Sequence, residues 1–411
     1  MINMKIAQIT PYFLPHTGGV ERYVYNLSKN LIREGHAVEV FTSNVPEGRT
    51  HDVVDGIPVR RLKCIGEPLR NPLVPSILFL LDELKKFDII HVHNLYGSLA
   101  LSIPLLKRFC RIPLVLTHHG QLVYGEPMKD ICVKIYEKSI GKVILKYVDN
   151  TIVLSESDAQ YISSSGFKGD NIEVLPNAIN PADFAAYINV DTAEFIGKYH
   201  LEGRKRVLFV GEVTNRKGVT TLVKSISLLT KRVLKENFVF VIVGSGENLS
   251  DARSLAKDLN VDSWVVFTGR LSFLELMQAY RSADLFVLPS LSEGLPTSIL
   301  EAMYFGLPVV ATDIPGVRDH FGDYALLVPP RAEHALADAI HTLLDDEDLA
   351  KDFSRKGKAL VASRYTWDRI TRGYENLYSN ICEAGSGYQK DCQIECARTF
   401  YGNKIKSLTK R

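Results

Sequence analysis

Short apolar, β-branched runs alternate with helical spacing along most of the chain. Lys5–Thr10, Ala37–Thr42, Ile57–Leu62, Asp88–His93, Pro113–His119, Thr151–Leu154 and Ile172–Leu175 read as strands. Helical patterns fill the intervals at 21–33, 74–86, 98–109 and 129–147. Pro176-Asn-Ala-Ile-Asn-Pro181 breaks the rhythm and reads as a hinge. The alternation then restarts. Arg206–Val210, Phe238–Val243, Val265–Phe267, Leu285–Leu288, Val309–Ala311 and Leu326–Val328 read as strands, with helices opening near Gly218, Asn248, Ser272, Thr297 and Glu333. This cadence predicts parallel sheets covered on both faces: an α/β fold of two doubly wound, Rossmann-like domains, 1–180 and 181–365, facing across a cleft. Residues 366–383, with Trp367, Tyr374 and Tyr378, read as a last helix. The pattern leaves its docking open, a return to the N-terminal domain being one course. The tail 384–411 is basic and is expected to be mobile.

In such sheets ligands bind at the carboxyl ends of the strands. The stretch Pro289-Ser-Leu-Ser-Glu-Gly-Leu-Pro-Thr-Ser-Ile-Leu-Glu301 lies at one such end, between a strand and a helix closed by Gly306 and Pro308. Gly294 permits close backbone approach, and Pro296 suits a first helical position. Free N–H groups at a helix mouth attract phosphate. Glu293 and Glu301 bracket the mouth, and a carboxylate accepts hydrogen bonds from vicinal hydroxyls. Together these point to a nucleotide sugar, the rival reading being two ordinary surface acids.

Other strand ends add weaker candidates. Gly18-Gly19 sits between a strand and a helix but lacks the dinucleotide spacing, so a plain turn competes. Arg216-Lys217-Gly218, Val243-Gly-Ser-Gly246 and Arg270 follow strands, where a cation would neutralise a diphosphate or simply be solvated. His118 and His119 finish a strand and are expected to face the cleft; His91 and His93 share one side of theirs. No carboxylate follows them in metal spacing, so packed or hydroxyl-bonded histidines are favoured over a metal site.

Charge is nearly balanced at +2, which gives no electrostatic case for nucleic acid. Six cysteines form neither a disulfide framework nor a paired zinc pattern; Cys392-x-x-x-Cys396 alone is weak. No apolar run approaches the roughly 20 residues of a membrane span, and no signal-peptide layout opens the chain. A cytoplasmic protein is expected, peripheral at the inner membrane face at most. Lys134, Lys138, Lys142 and Lys146 recur every four residues, so an anionic membrane surface competes with plain solvent as their partner.

Taken together, the motifs resemble glycosyltransferase family 4, a retaining group with the GT-B fold. The carriers are Gly18-Gly-Val-Glu21, Asp88–His93, Thr117-His-His-Gly120, Val174–Ile179, Arg216-Lys-Gly218, Val243-Gly-Ser-Gly246, Phe267-Thr-Gly269 and above all Glu293-x7-Glu301. The resemblance implies a nucleotide-sugar donor, commonly a UDP-sugar, no metal and no cofactor. It also implies roles. Glu293 would contact the donor sugar, with His119 beside it, and Glu301 the ribose. Amides at Leu295, Thr297 and Ser298, with Gly294 and Gly244 nearby and Gly19 from the other domain, would line the diphosphate. Lys217 would steady the leaving phosphate, and Arg270 would border the base. The expected acceptor is a saccharide or lipid-linked saccharide of surface polysaccharide or glycoconjugate synthesis. One departure stands out: Glu212 occupies a position where the family often has Arg. Either Arg216 substitutes or Glu212 turns outward. A nucleotide-sugar 2-epimerase and a catalytically weak binding subunit are the alternatives.

Overall fold

The computed structural model describes residues 3–16, 18–68, 71–122, 127–164, 171–232 and 237–384. The basic tail beyond 384, with Cys392 and Cys396, lies outside the described residues. Contacts divide the chain into two compact units. One comprises Met1–His118, Val143–Ile152 and the chain from Thr371 on; the other comprises His119–Lys142 and Val153–Ile370. The partition is therefore interleaved along the sequence.

The first sheet contains β1 (Lys5–Ile9), β2 (Ala37–Ser43), β3 (His51–Val54), β4 (Ile57–Leu62), β5 (Ile89–His93), β6 (Leu114–His118), β7 (Asn150–Val153) and β8 (Ile172–Val174). Their order is β3-β4-β2-β1-β5-β6-β7-β8. The β1–β2, β1–β5, β2–β4 and β5–β6 pairs are parallel. Strand β3 is an addition the hydrophobic pattern does not predict. It pairs antiparallel with β4 through Asp55-Gly56, both at positive φ (47° and 84°). That dipeptide is the favoured two-residue hairpin turn.

The second sheet contains β9 (Lys205–Val210), β10 (Phe238–Val243), β11 (Val265–Gly269), β12 (Leu285–Leu288), β13 (Val309–Thr312) and β14 (Leu326–Val328), in the order β11-β10-β9-β12-β13-β14. Every neighbouring pair is parallel. Strands β10 and β12 are buried along their whole length, which their unbroken apolar sequences anticipate. The order reverses between β9 and β12. In open parallel sheets the carboxyl ends of strands at such a reversal are where ligands bind.

Two predicted helices are broken. The 74–86 stretch is a 3-10 turn, Pro75–Leu80, followed by Leu81–Leu84. The basic helix runs Pro127–Tyr136, widens into a π turn at Glu137–Gly141 and resumes at Lys142–Leu145. The last helix covers 367–384. From Thr371 it belongs to the first unit, where Tyr374 and Tyr378 are wholly buried.

Candidate active site

The second unit assembles its site at the β9–β12 reversal. After β9 the chain makes a 3-10 turn, Asn215–Lys217, capped by Gly218 at φ 70°. A Cβ on Gly218 would lie 1.9 Å from the Pro289 carbonyl oxygen, so only glycine lets the two loops touch backbone to backbone. The Leu291 amide donates to the Arg216 carbonyl at 2.7 Å and ties the loops together. Lys217 Nζ thereby reaches Glu293 Oε1 at 2.5 Å, and Ser290 Oγ donates to the same oxygen at 2.6 Å. Arg216 donates from Nη1 to the Ser292 carbonyl at 3.0 Å and stands 3.7 Å from Glu293 Oε2.

Glu293 keeps a partly exposed backbone, but its side chain is only 7% exposed. Burial on its own would raise the carboxyl pKa. The Lys217 and Arg216 charges, with the Lys217 and Ser290 hydrogen bonds, outweigh that and hold it below the usual range. A carboxylate so placed stays ionised and keeps two cations beside it.

Glycines also box the turn that carries Glu293. A Cβ on Gly316 would lie 2.1 Å from the Glu293 carbonyl oxygen, and one on Gly294 would lie 2.7 Å from that of His119. A Cβ on Gly120, at φ 94°, would lie 2.8 Å from the Gly294 Cα. These residues all belong to the second unit. His119 thus meets the turn through its main chain.

The helix Thr297–Phe305 opens directly after this turn, with Pro296 as N-cap rather than first helical residue, and no side chain caps it. Its mouth is a ready anion site. Leu295 is buried, while Thr297 and Ser298 are partly exposed. Glu301, further in, is buried and accepts from the Tyr280 hydroxyl at 2.7 Å. On the other side of β9, a Cβ on Gly244 (φ 136°) would sit 1.9 Å from the Gly211 carbonyl oxygen. Arg270, past the end of β11, donates from Nε to Ser245 Oγ at 2.9 Å. Glu212 is exposed, and Arg216 holds the place beside the carboxylate.

Residues 17–183 match Glycosyltransferase Family 4 and residues 191–360 match Glycosyl transferases group 1. The chain belongs to this glycosyltransferase family. It is 28% identical to an uncharacterized glycosyltransferase, MJ1607, of Methanocaldococcus jannaschii, over 92% of this chain and 99% of that one. It is 25% identical to a GDP-mannose:cellobiosyl-diphosphopolyprenol alpha-mannosyltransferase of Xanthomonas oryzae, over 91% and 96% of the two chains. The fold is that of Anabaena Alr3699/HepE in complex with UDP-glucose, at TM-score 0.74 and 17% identity, covering 92% of this chain and all of that one. The expected GT-B architecture of two parallel-sheet α/β domains stands.

The first unit of the glycosyltransferase treats its histidines differently from the expectation that His118 faces a cleft. His118 is wholly buried, and burial lowers its pKa to about 4. The last residue of β6 still lies inside the sheet, so its side chain is covered like the rest of that strand. His91 hydrogen-bonds Tyr378 and Thr117, each at 2.7 Å, and His93 bonds Gln8 at 2.6 Å. The Tyr23 and Tyr374 hydroxyls bond each other. Gly18 caps the helix Gly19–Arg33, and the Glu21 carboxylate occupies the space a Cβ on Gly18 would need.

Sequence reasoning missed four residues that shape the candidate site: Ser290, Gly218 as a contact point, Gly316 and Tyr280. Ser290 carries a legible signal, since it directly follows a strand and Pro289. Gly316 and Tyr280 act through tertiary packing and carry none.

Proposed function

We propose that this glycosyltransferase takes a nucleoside-diphosphate sugar, a UDP-sugar in the first instance, and transfers the sugar with retention of anomeric configuration, without a metal ion. The acceptor is a saccharide or lipid-linked saccharide in surface polysaccharide or glycoconjugate synthesis. One observation carries the reading: an ionised, buried Glu293 clamped by Lys217, Arg216 and Ser290 beside an uncapped helix mouth. The donor diphosphate lies on the amides of Leu295, Thr297 and Ser298, and Lys217 and Arg216 neutralise it. Glu301, one oxygen held by Tyr280, takes the ribose hydroxyls, and Glu293 takes those of the sugar. His119 stands by the sugar and Arg270 by the base. The acceptor oxygen bonds to the anomeric carbon on the face the phosphate leaves. The acceptor proton passes to the departing phosphate oxygen, and the nucleoside diphosphate is released. A nucleoside-diphosphate sugar appears in the names of both the Xanthomonas relative and the Anabaena complex, and a polyprenol-linked acceptor in the first. An anionic membrane surface, where a lipid-linked acceptor would reside, completes the set of partners.

A thermal-shift panel of nucleotide sugars, followed by NMR of the product's anomeric proton with and without EDTA, tests this. One donor should raise Tm, and its product should keep the donor's configuration regardless of chelator. An inverted product, chelator-sensitive turnover, or donor isomerisation without acceptor rejects the corresponding part.

A further inference from the structure

The helix that opens at Pro127 carries an outer side with no covering element among the described residues. None of Pro127–Tyr136 is buried. Met128 is 74% exposed, Ile131 51%, Ile135 62% and Ile140 45%. Single exposed apolar residues are ordinary, but these share one side of one helix.

Lys134, Lys138 and Lys142 are exposed as well. Four residues of an α-helix overshoot a full turn by roughly 40°, so in an unbroken helix Lys142 would stand roughly 80° round from Lys134, among the isoleucines. The π turn at Glu137–Gly141 prevents this. It takes roughly one more residue per turn and cancels most of the drift. The three lysines therefore keep to one edge of the apolar strip along the helix. The turn is anchored from inside: Glu137 is buried and accepts from the Tyr161 hydroxyl. Outside, Ser139 Oγ donates to the Ile135 carbonyl at 2.6 Å.

We infer that this helix lies flat on an anionic lipid bilayer, with Met128, Ile131 and Ile135 in the acyl boundary and Lys134, Lys138 and Lys142 on lipid phosphates. An apolar strip edged by cations matches the two layers of a lipid surface, whereas a soluble polyanion would leave the strip in water. The inference deepens the proposed membrane partner. It is measured without donor or acceptor, so its failure and a failure of the transfer reading remain distinguishable.

The test is flotation of the full chain with phosphatidylcholine vesicles, with and without phosphatidylglycerol, at low and high salt. The wild type should float only with phosphatidylglycerol and should come off as salt rises. Ile131→Gln with Ile135→Gln should weaken binding roughly tenfold or more even at low salt, because buried apolar area is lost. Lys134→Gln, Lys138→Gln and Lys142→Gln together should abolish the phosphatidylglycerol dependence, while Lys257→Gln on another helix changes nothing. All these side chains are exposed, so circular dichroism and Tm should match the wild type. Failure of the wild type to float overturns the inference. So does flotation unchanged by the isoleucine pair, or binding to heparin as tight as to the vesicles, since either marks a plain polyanion-binding face.

Discussion

Both units bury polar groups near the ends of parallel strands, and they settle them in opposite ways. In the first, His91, His93, Gln8, Thr117, Tyr23, Tyr374 and Tyr378 bond one another through hydroxyl, amide-oxygen and imidazole hydrogen bonds, with Gln8 Nε2 left without a partner among the described residues. In the second, Lys217 and Arg216 stand 2.5 and 3.7 Å from the carboxylate of Glu293, whose turn is walled by glycines. Neutral groups that bond chiefly to one another serve the packing of a core. Buried charges cost more to desolvate than their attraction returns unless something else needs them. The contrast distinguishes a hydrogen-bonded scaffold from the candidate site, although in sequence both sets are only scattered polar residues among apolar runs.

The sharpest way to break that contrast is to remove a charge from the second set. Lys217→Ala and Glu293→Ala should each lower turnover about a hundredfold or more, equivalent to about 2.7–4 kcal/mol at the transition state. Near-native steady-state rates in both would remove the site assignment. Next in size is the pH response of the first unit. His118 has a folded pKa near 4, against an ordinary value of 6.5, so the unfolded chain binds its proton first as pH falls. Its share of stability is complete above about pH 6.5 and drains away toward pH 4, by roughly 3 kcal/mol. Urea melts of wild type and His118→Leu should diverge in slope across that interval, and parallel curves would refute the burial argument. Tyr378→Phe, which leaves His91 short of one partner, should cost about 1–3 kcal/mol of stability with turnover intact. A rate loss without a stability loss would place that cluster in the chemistry after all. Smallest is Arg216→Ala, expected to weaken donor binding about tenfold through one lost charge-assisted contact, more than any other loop change. Calorimetry showing unchanged donor affinity would mean Arg216 does not fill the place vacated at Glu212.

Much of this was legible in the chain. The cadence of Val, Ile and Phe runs gives nearly every strand, because strands covered on both faces are predominantly apolar and bury a polar residue only where a partner meets it. The Glu293-x7-Glu301 spacing marks the helix mouth, because a loop and a helix start are local events. What stayed hidden depends on distant partners. His118 looked like a cleft residue because strand ends look alike until the layer above them is known. The π turn at Glu137 could not be read from a four-residue lysine repeat, since it is set by Tyr161 on another helix. Asp55-Gly56 is the exception: its hairpin signal is local and could have revealed β3.

The return of the last helix has a consequence for how the protein is made. His36 accepts from the Met4 amide on Nδ1 at 3.2 Å and so presents its other nitrogen to Glu375, 3.0 Å away and 339 positions later. Tyr23 and His91 likewise depend on Tyr374 and Tyr378. A ribosome therefore releases the earliest third of the molecule long before the residues that finish its interior exist. Until translation reaches that point, the nascent half must wait with an open flank, and a chain terminated early has no way to close it.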